Sequence, residues 1–119
     1  SPQSNQAVQQ VAIPQVEVKY IFIKTEYKIV RLDVADILRI EGLKDYIKIY
    51  TKDEMLLTLM GMKEIEHDLP SQQFARVHKS HIVALQHIDS IERNRVIIQG
   101  EYIPIGATYK DGFFKQIGV

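Results

Sequence analysis

The chain has 119 residues, 45% of them hydrophobic and 25% charged, and its 15 basic and 15 acidic side chains cancel to a formal net charge of zero. That is enough for one domain with a real core and too little for two comfortable ones. The lack of cysteine excludes disulfides and thiolate metal sites and fits a reducing, cytoplasmic setting; no apolar run approaches the roughly 20 residues of a membrane span, and no stretch has the build of a signal sequence. Neutral charge argues mildly against a nucleic-acid binder, so a phosphate-contacting role would have to rest on local patches.

Residues 1 to about 15 are rich in Gln, with Ser, Asn and two prolines, and show no period of 2 or 3.6. They read as a flexible linker over 1–16, followed by one domain over 17–119. Lys19 to Lys24 and Tyr27 to Leu32 are short aromatic and β-branched runs, predicted as strands around a turn at Thr25-Glu26. Asp33 to Asp36 is a turn, and Ile37 to Glu41 a further strand. After a break at Gly42 to Asp45, Tyr46 to Tyr50 alternates strictly, with Ile47 and Ile49 on one face. Thr51 to Glu54 is turn-like, and Met55 to Met60 forms the next strand.

One middle segment changes period. Met62, Ile65 and Leu69 recur at helical spacing, Gly61 can cap the start and Pro70 ends the run, which predicts a short helix over Met62 to Leu69 with its stripe in the core. Phe74 to Leu85 reads as a strand, an exposed basic knuckle and a second strand. Ile88 to Arg93 and Val96 to Ile98 form a hairpin around Asn94-Arg95, Gln99 to Glu101 is a turn, and Tyr102 to Ile105 is a last strand with Pro104 near its end. Tyr109 to Gln116 is a terminal helix interrupted by Gly112. About ten short strands in meander order make the chain mainly β.

The knuckle His78-Lys79-Ser80-His81 invites several chemistries. A metal site needs three or four convergent ligands, and an extended segment points His78 and His81 to opposite faces. A hydrolase needs Ser80 activated by a histidine held by a carboxylate, and no nucleophile elbow, P-loop or dinucleotide fingerprint is present. No cofactor is expected. Nucleic-acid binding fits better: Arg76, His78, Lys79 and Ser80 offer donors for phosphates and base edges. Lys44, Tyr46 and Lys48 gather at the break near residue 42, and Thr108, Tyr109 and Lys110 stand at the start of the last helix. Three donor-rich turns on one edge would make a DNA-facing surface, with Glu64, Glu66 and Asp68 turned away from it. The bland alternative is ordinary solvated turns. Single-strand binding by stacking needs exposed aromatics, and most of the aromatics are expected in the core.

Four stretches in order, Ile40 to Ile49, Met62 to Pro70, Phe74 to Leu85, and Ile103-Pro-Ile-Gly106 with Tyr109, resemble the LytTR family of DNA-binding domains. The resemblance covers about Lys19 to Ile117. It implies an elongated, mainly β fold of three small antiparallel sheets, and loops that enter successive major grooves of double-stranded DNA, often at paired direct repeats. It also implies the output half of a two-component response regulator, downstream of an N-terminal receiver domain, with a possible homodimer on DNA. By resemblance the first contact loop is Lys44, Asp45, Tyr46 and Ile47, the second His78, Lys79 and Ser80, and the third Gly106 to Lys110. The third departs from the family, since Gly106, Ala107 and Thr108 stand where members commonly carry Ser and then arginines. By that reading Lys79 and His78 approach bases, Lys44, Lys48, Arg76 and Lys110 approach phosphates, and Tyr46 sugar or phosphate. A protein-interaction module on the same scaffold is the competing reading, motivated by the zero net charge and the missing arginines.

Overall fold

The computed structural model describes residues 19–119, so the expected linker over 1–16 lies outside the described residues. Aromatic and β-branched residues favour extended backbone in Tyr20–Lys24 (β1) and Ile29–Asp33 (β2). The two pair antiparallel from Tyr20 opposite Asp33 to Lys24 opposite Ile29. Their loop is longer than the predicted turn at Thr25-Glu26. The Thr25 N–H and hydroxyl both donate to the Lys28 carbonyl, at 2.8 and 3.0 Å, and this closure leaves Tyr27 outside the strand.

After a 3-10 turn at Val34–Asp36 come Ile37–Gly42 (β3), Ile47–Thr51 (β4), Met55–Thr58 (β5), the helix Met62–Asp68 (α1), Phe74–His78 (β6) and His81–Ala84 (β7). A second 3-10 turn, Leu85–His87, precedes Ser90–Glu92 (β8), Arg95–Ile98 (β9), Glu101–Pro104 (β10) and the helix Ala107–Ile117 (α2). The described residues thus form a mainly β fold of three antiparallel sheets and two helices, as predicted. The sheets are unequal: β1-β2, a five-stranded sheet in the order β5-β4-β3-β7-β6, and β10-β9-β8.

Alternation along the five-stranded sheet sends neighbouring residues to two cores. Ile40, Ile47, Ile49, Leu56 and Ile82 pack with Ile23 and Leu32 of β1-β2 and with Ile65 and Leu69 of the α1 region. Ala75, Val77 and Val83 face the other way, onto Val96, Ile98, Ile103, Ile105 and Phe113 of the three-stranded sheet and α2. Gly61 caps α1, as its position before the apolar stripe predicts. Thr58, 4% exposed, donates its hydroxyl to the Lys24 carbonyl at 2.6 Å and so ties β5 to the end of β1.

Three local expectations are corrected. The β8-β9 turn is Arg93-Asn94, one residue earlier than predicted, with positive φ of 51° and 61° at its two residues, the conformation that suits a two-residue hairpin. Helix α2 starts at Ala107 rather than Tyr109, capped by Gly106, which supplies no side-chain signal. The aromatics are not mostly buried. Of six tyrosines and four phenylalanines, Phe74 and Phe113 are buried, while Tyr20, Phe22, Tyr27, Tyr46 and Tyr102 are exposed. The outer face of β1-β2 has no layer over it among the described residues, and there Tyr20 and Phe22 meet edge to face at 5.7 Å with the Arg31 guanidinium 5.5 Å from the Tyr20 ring.

Candidate nucleic-acid interface

The knuckle is a two-residue turn. His78 pairs across it with His81, and only Lys79 and Ser80 lie between β6 and β7. A register shift between Arg76 and His78 inserts an extra residue into β6 and turns His78 to the same side as His81. The two rings lie 5.3 Å apart, which overturns the expectation that they point to opposite faces. Among the described residues no group of three or more His, Cys, Asp or Glu side chains is placed to hold a metal ion.

The sheet order brings the other two loops to this turn. Strand β3 pairs with β7, placing Glu41 opposite His81, so the β3-β4 loop leaves the sheet at the end where the knuckle sits. The Gly42 N–H donates to the Ser80 carbonyl at 2.7 Å, and the Leu43 N–H closes the loop on the Tyr46 carbonyl at 2.8 Å. On the other flank the Gly106 N–H donates to the Val77 carbonyl at 2.6 Å. A Cβ at Gly106 would lie 3.3 Å from the Tyr109 ring and 3.6 Å from the His78 Cα, so the absent side chain permits that approach. Lys44, Asp45 and Tyr46, then Lys79 and Ser80, then Thr108, Tyr109 and Lys110 therefore stand on three adjoining loops. Lys44, Asp45, Tyr46, Lys79 and Thr108 are exposed, and His78, Ser80, Tyr109 and Lys110 half-buried.

Individual groups differ in what they offer. The Ser80 N–H donates to His78 Nδ1 at 3.1 Å, so neutral His78 carries its proton on Nε2 and offers it as a donor. The Lys79 side chain is exposed at the tip and has no hydrogen-bond or ion-pair partner among the described residues. Lys48 lies within β4, opposite Glu41, two positions from the loop and on the sheet face rather than its end. Helix α2 begins without a side-chain cap or an acidic residue in its first turn, leaving backbone N–H groups for an anion. Lys110 lies in that turn with its ammonium 5.8 Å from the Phe114 ring.

Arg76 is not displayed. Its side chain is 17% exposed. Nη1 donates to Glu66 Oε1 at 3.1 Å, Nη2 to the Lys79 carbonyl at 2.6 Å and Nε to the His78 carbonyl at 3.3 Å. Glu66, expected to face away with Glu64 and Asp68, instead reaches the knuckle from beneath. Sequence reasoning also passed over a half-buried polar network on the face of the sheet that carries Val83, beside the second core. The Tyr50 hydroxyl donates to Glu41 at 3.1 Å and the Arg39 guanidinium lies 3.9 Å from the Tyr50 ring. His81 adjoins it, with Nδ1 buried and without a hydrogen-bond partner among the described residues. Burial holds His81 below its ordinary value of 6.5; Glu41 opposes the shift, and His78 and Arg39 add to it.

The family model of the LytTr DNA-binding domain matches residues 27–118. The chain belongs to that family. This LytTr domain is 38% identical over 60 residues to the heme-containing CO-sensing transcriptional regulator RcoM 1 of Paraburkholderia xenovorans, a match covering 50% of this chain and 22% of that protein. It is 27% identical over 100 residues to the sensory transduction protein LytT of Bacillus cereus, covering 79% of this chain and 41% of that one. The chain therefore spans well under half of either relative. Among solved structures, a LytTr DNA-binding domain assigned to a methyl-accepting/DNA response regulator of Bacillus cereus superposes with a TM-score of 0.75 at 21% identity, covering 86% of this chain and 99% of that one. That likeness shows the shared fold. The family is one of DNA-binding domains, and among the described residues no helix is long and apolar enough to cross a membrane.

Proposed function

We propose that this LytTr domain is the sequence-specific output half of a cytoplasmic two-component response regulator, and that its three loops enter successive major grooves of double-stranded DNA. The observation that carries the reading is the pair of backbone hydrogen bonds, Gly42 to Ser80 and Gly106 to Val77, that gather the three donor-rich loops onto one edge. In this reading residues 1–16 are the link from an N-terminal receiver domain, and two domains bind paired direct repeats as a homodimer. Lys79 and the Nε2–H of His78 approach base edges. Lys44, Lys110 and the first N–H groups of α2 approach phosphates, Tyr46 the sugar-phosphate edge, and Asp45, Ser80, Thr108 and Tyr109 complete the rim.

Selection from a randomised duplex pool at two salt concentrations tests it. A short consensus is expected, with affinity falling as salt rises by about 0.9 logarithmic units per neutralised phosphate for each decade of salt. On that consensus Lys79→Ala should cost about 1–3 kcal/mol and relax one base position. No change in affinity or specificity would remove Lys79 from the reading.

A second reading, protein recognition, is favoured by one observation. The stretch from Met55 to Met60 carries no charge, exposes Met55, Leu57 and Leu59, and includes the edge strand β5. A sheet edge of this kind can accept a partner strand. Partner binding that barely responds to salt, with no DNA selected, would favour it.

A further inference from the structure

We infer that Arg76 is a positioning residue: its guanidinium, aimed by Glu66, holds the backbone of the recognition turn so that His78 and Lys79 meet DNA already ordered. This inference rests on the DNA-binding reading above and reassigns Arg76 from phosphate contact to support.

Arg76 lies on β6 just before the register shift, opposite Ile82 and therefore on the face that packs toward α1. The shift loosens the ladder where the turn begins, and a two-residue turn leaves its tip carbonyl without a strand partner. Arg76 supplies what is missing. Nη2 and Nε donate to the carbonyls of Lys79 and His78, the two residues whose side chains stand at the tip. Bonds from a charged donor are the stronger kind, and a planar fork serves several acceptors at once, which an ammonium cannot match in fixed geometry.

The fork needs an anchor on its far side, and Glu66 provides one from α1. A carboxylate beside a DNA-facing edge repels phosphate, so its position makes sense when it fixes Arg76 instead of meeting the ligand. Tyr109 of α2 adjoins the same group, with its ring 5.8 Å from the guanidinium. One side chain thus joins α1, the knuckle and the start of α2. Ordering the turn before encounter removes an entropy cost that binding would otherwise carry.

The two roles predict opposite signs. If Arg76 touches phosphate, Glu66→Ala removes a repulsive charge, frees the guanidinium and tightens DNA binding; Arg76→Gln lowers the salt slope by about one, and Arg76→Lys is nearly neutral. If Arg76 supports the turn, all three variants bind the selected duplex more weakly, by about tenfold for Arg76→Gln and Arg76→Lys and about threefold for Glu66→Ala, with the salt slope unchanged. Fluorescence anisotropy across a salt series reads this.

Amide hydrogen exchange of the DNA-free protein gives an independent readout. The Ser80 amide, which donates to His78, should exchange faster in all three variants while core amides of β3 and β4 keep their protection. Glu66 is on an exposed helix position, where alanine is well tolerated, so that variant folds even if those at Arg76 are weakened. Tighter binding by Glu66→Ala, or unchanged Ser80 exchange in the folded variants, overturns the support role. A wild-type domain that selects no duplex overturns the DNA-binding reading instead, and the exchange measurement still decides whether Arg76 holds the turn.

Discussion

Gly42→Ala tests the close approach that holds the β3-β4 loop against α1. A Cβ built at Gly42 falls 2.8 Å from Met62 Cγ and 2.9 Å from Met62 Sδ. Ordinary carbon contacts are about 3.5–4.0 Å, so the overlap with Cγ is on the order of 0.7–1.2 Å. Methionine has three rotatable bonds and yields more readily than a branched side chain, which places the strain toward the low end of the roughly 1–3 kcal/mol typical of overpacking. Replacing glycine also restricts the unfolded chain, a gain of about 0.4–1 kcal/mol where the backbone accepts a side chain, and Gly42 is not in the left-handed region. The net expectation is a loss of up to about 1.6 kcal/mol, and each kcal/mol lowers the melting temperature of a domain this size by roughly 4–8 °C. Urea and thermal unfolding measure it. The decisive comparison is the same substitution in a Met62→Ala background. There the overlapping atoms are gone, and Gly42→Ala should become stabilising by about 0.4–1 kcal/mol. An equal loss in both backgrounds would mean that something other than Met62 fills the space beside Gly42.

Phe113→Ala should cost about 3–5 kcal/mol in urea unfolding, because this 2%-exposed ring fills the core that α2 shares with β6, β9 and β10. Thr58→Val should cost about 1 kcal/mol by removing the buried hydroxyl that donates to the Lys24 carbonyl, whereas Thr58→Ser, which keeps the hydroxyl, should lose less. For His81 the folded-state pKa lies below the unfolded value of 6.5, so near that pH the unfolded chain binds more protons. The group therefore contributes stability that is present above 6.5 and is lost as pH falls through the folded-state value. Unfolding midpoints of wild type and His81→Phe, compared at pH 7.5 and 5.5, should show a smaller acid loss in the variant; equal losses would exclude His81 as the cause.

Much of the fold was legible because local signals agreed with tertiary structure. The i, i+3, i+7 spacing of Met62, Ile65 and Leu69, with Gly61 before and Pro70 after, marked α1 almost to the residue. Strict alternation around Ile47 and Ile49 marked β4 and its buried face. The failures share a physical cause, which is dependence on partners remote in sequence. The register shift that sets His78 against His81 is one residue, invisible in a hydrophobic pattern. The exposure of Phe22 and Tyr20 depends on the absence of a covering layer among the described residues, and side-chain type says nothing of that. Arg76 in a basic stretch resembles a phosphate ligand until Glu66, ten residues earlier, is seen bonded to it. The three donor-rich loops were each visible, while their adjacency came from sheet order.

The bonds that hold those loops together have a consequence for how such a domain changes its target over generations. Gly42 to Ser80 and Gly106 to Val77 are main-chain bonds, made by groups that every residue except proline carries in full. The exposed positions 44 to 46, 79, 107 and 108 take no part in either of them. Side chains there can be exchanged without moving the loops, so under the proposed function the reading surface is free to drift toward a new sequence while the frame beneath it stays the same. The Gly106, Ala107 and Thr108 segment, with no basic side chain of its own, is then a variant of the lettering and not of the page.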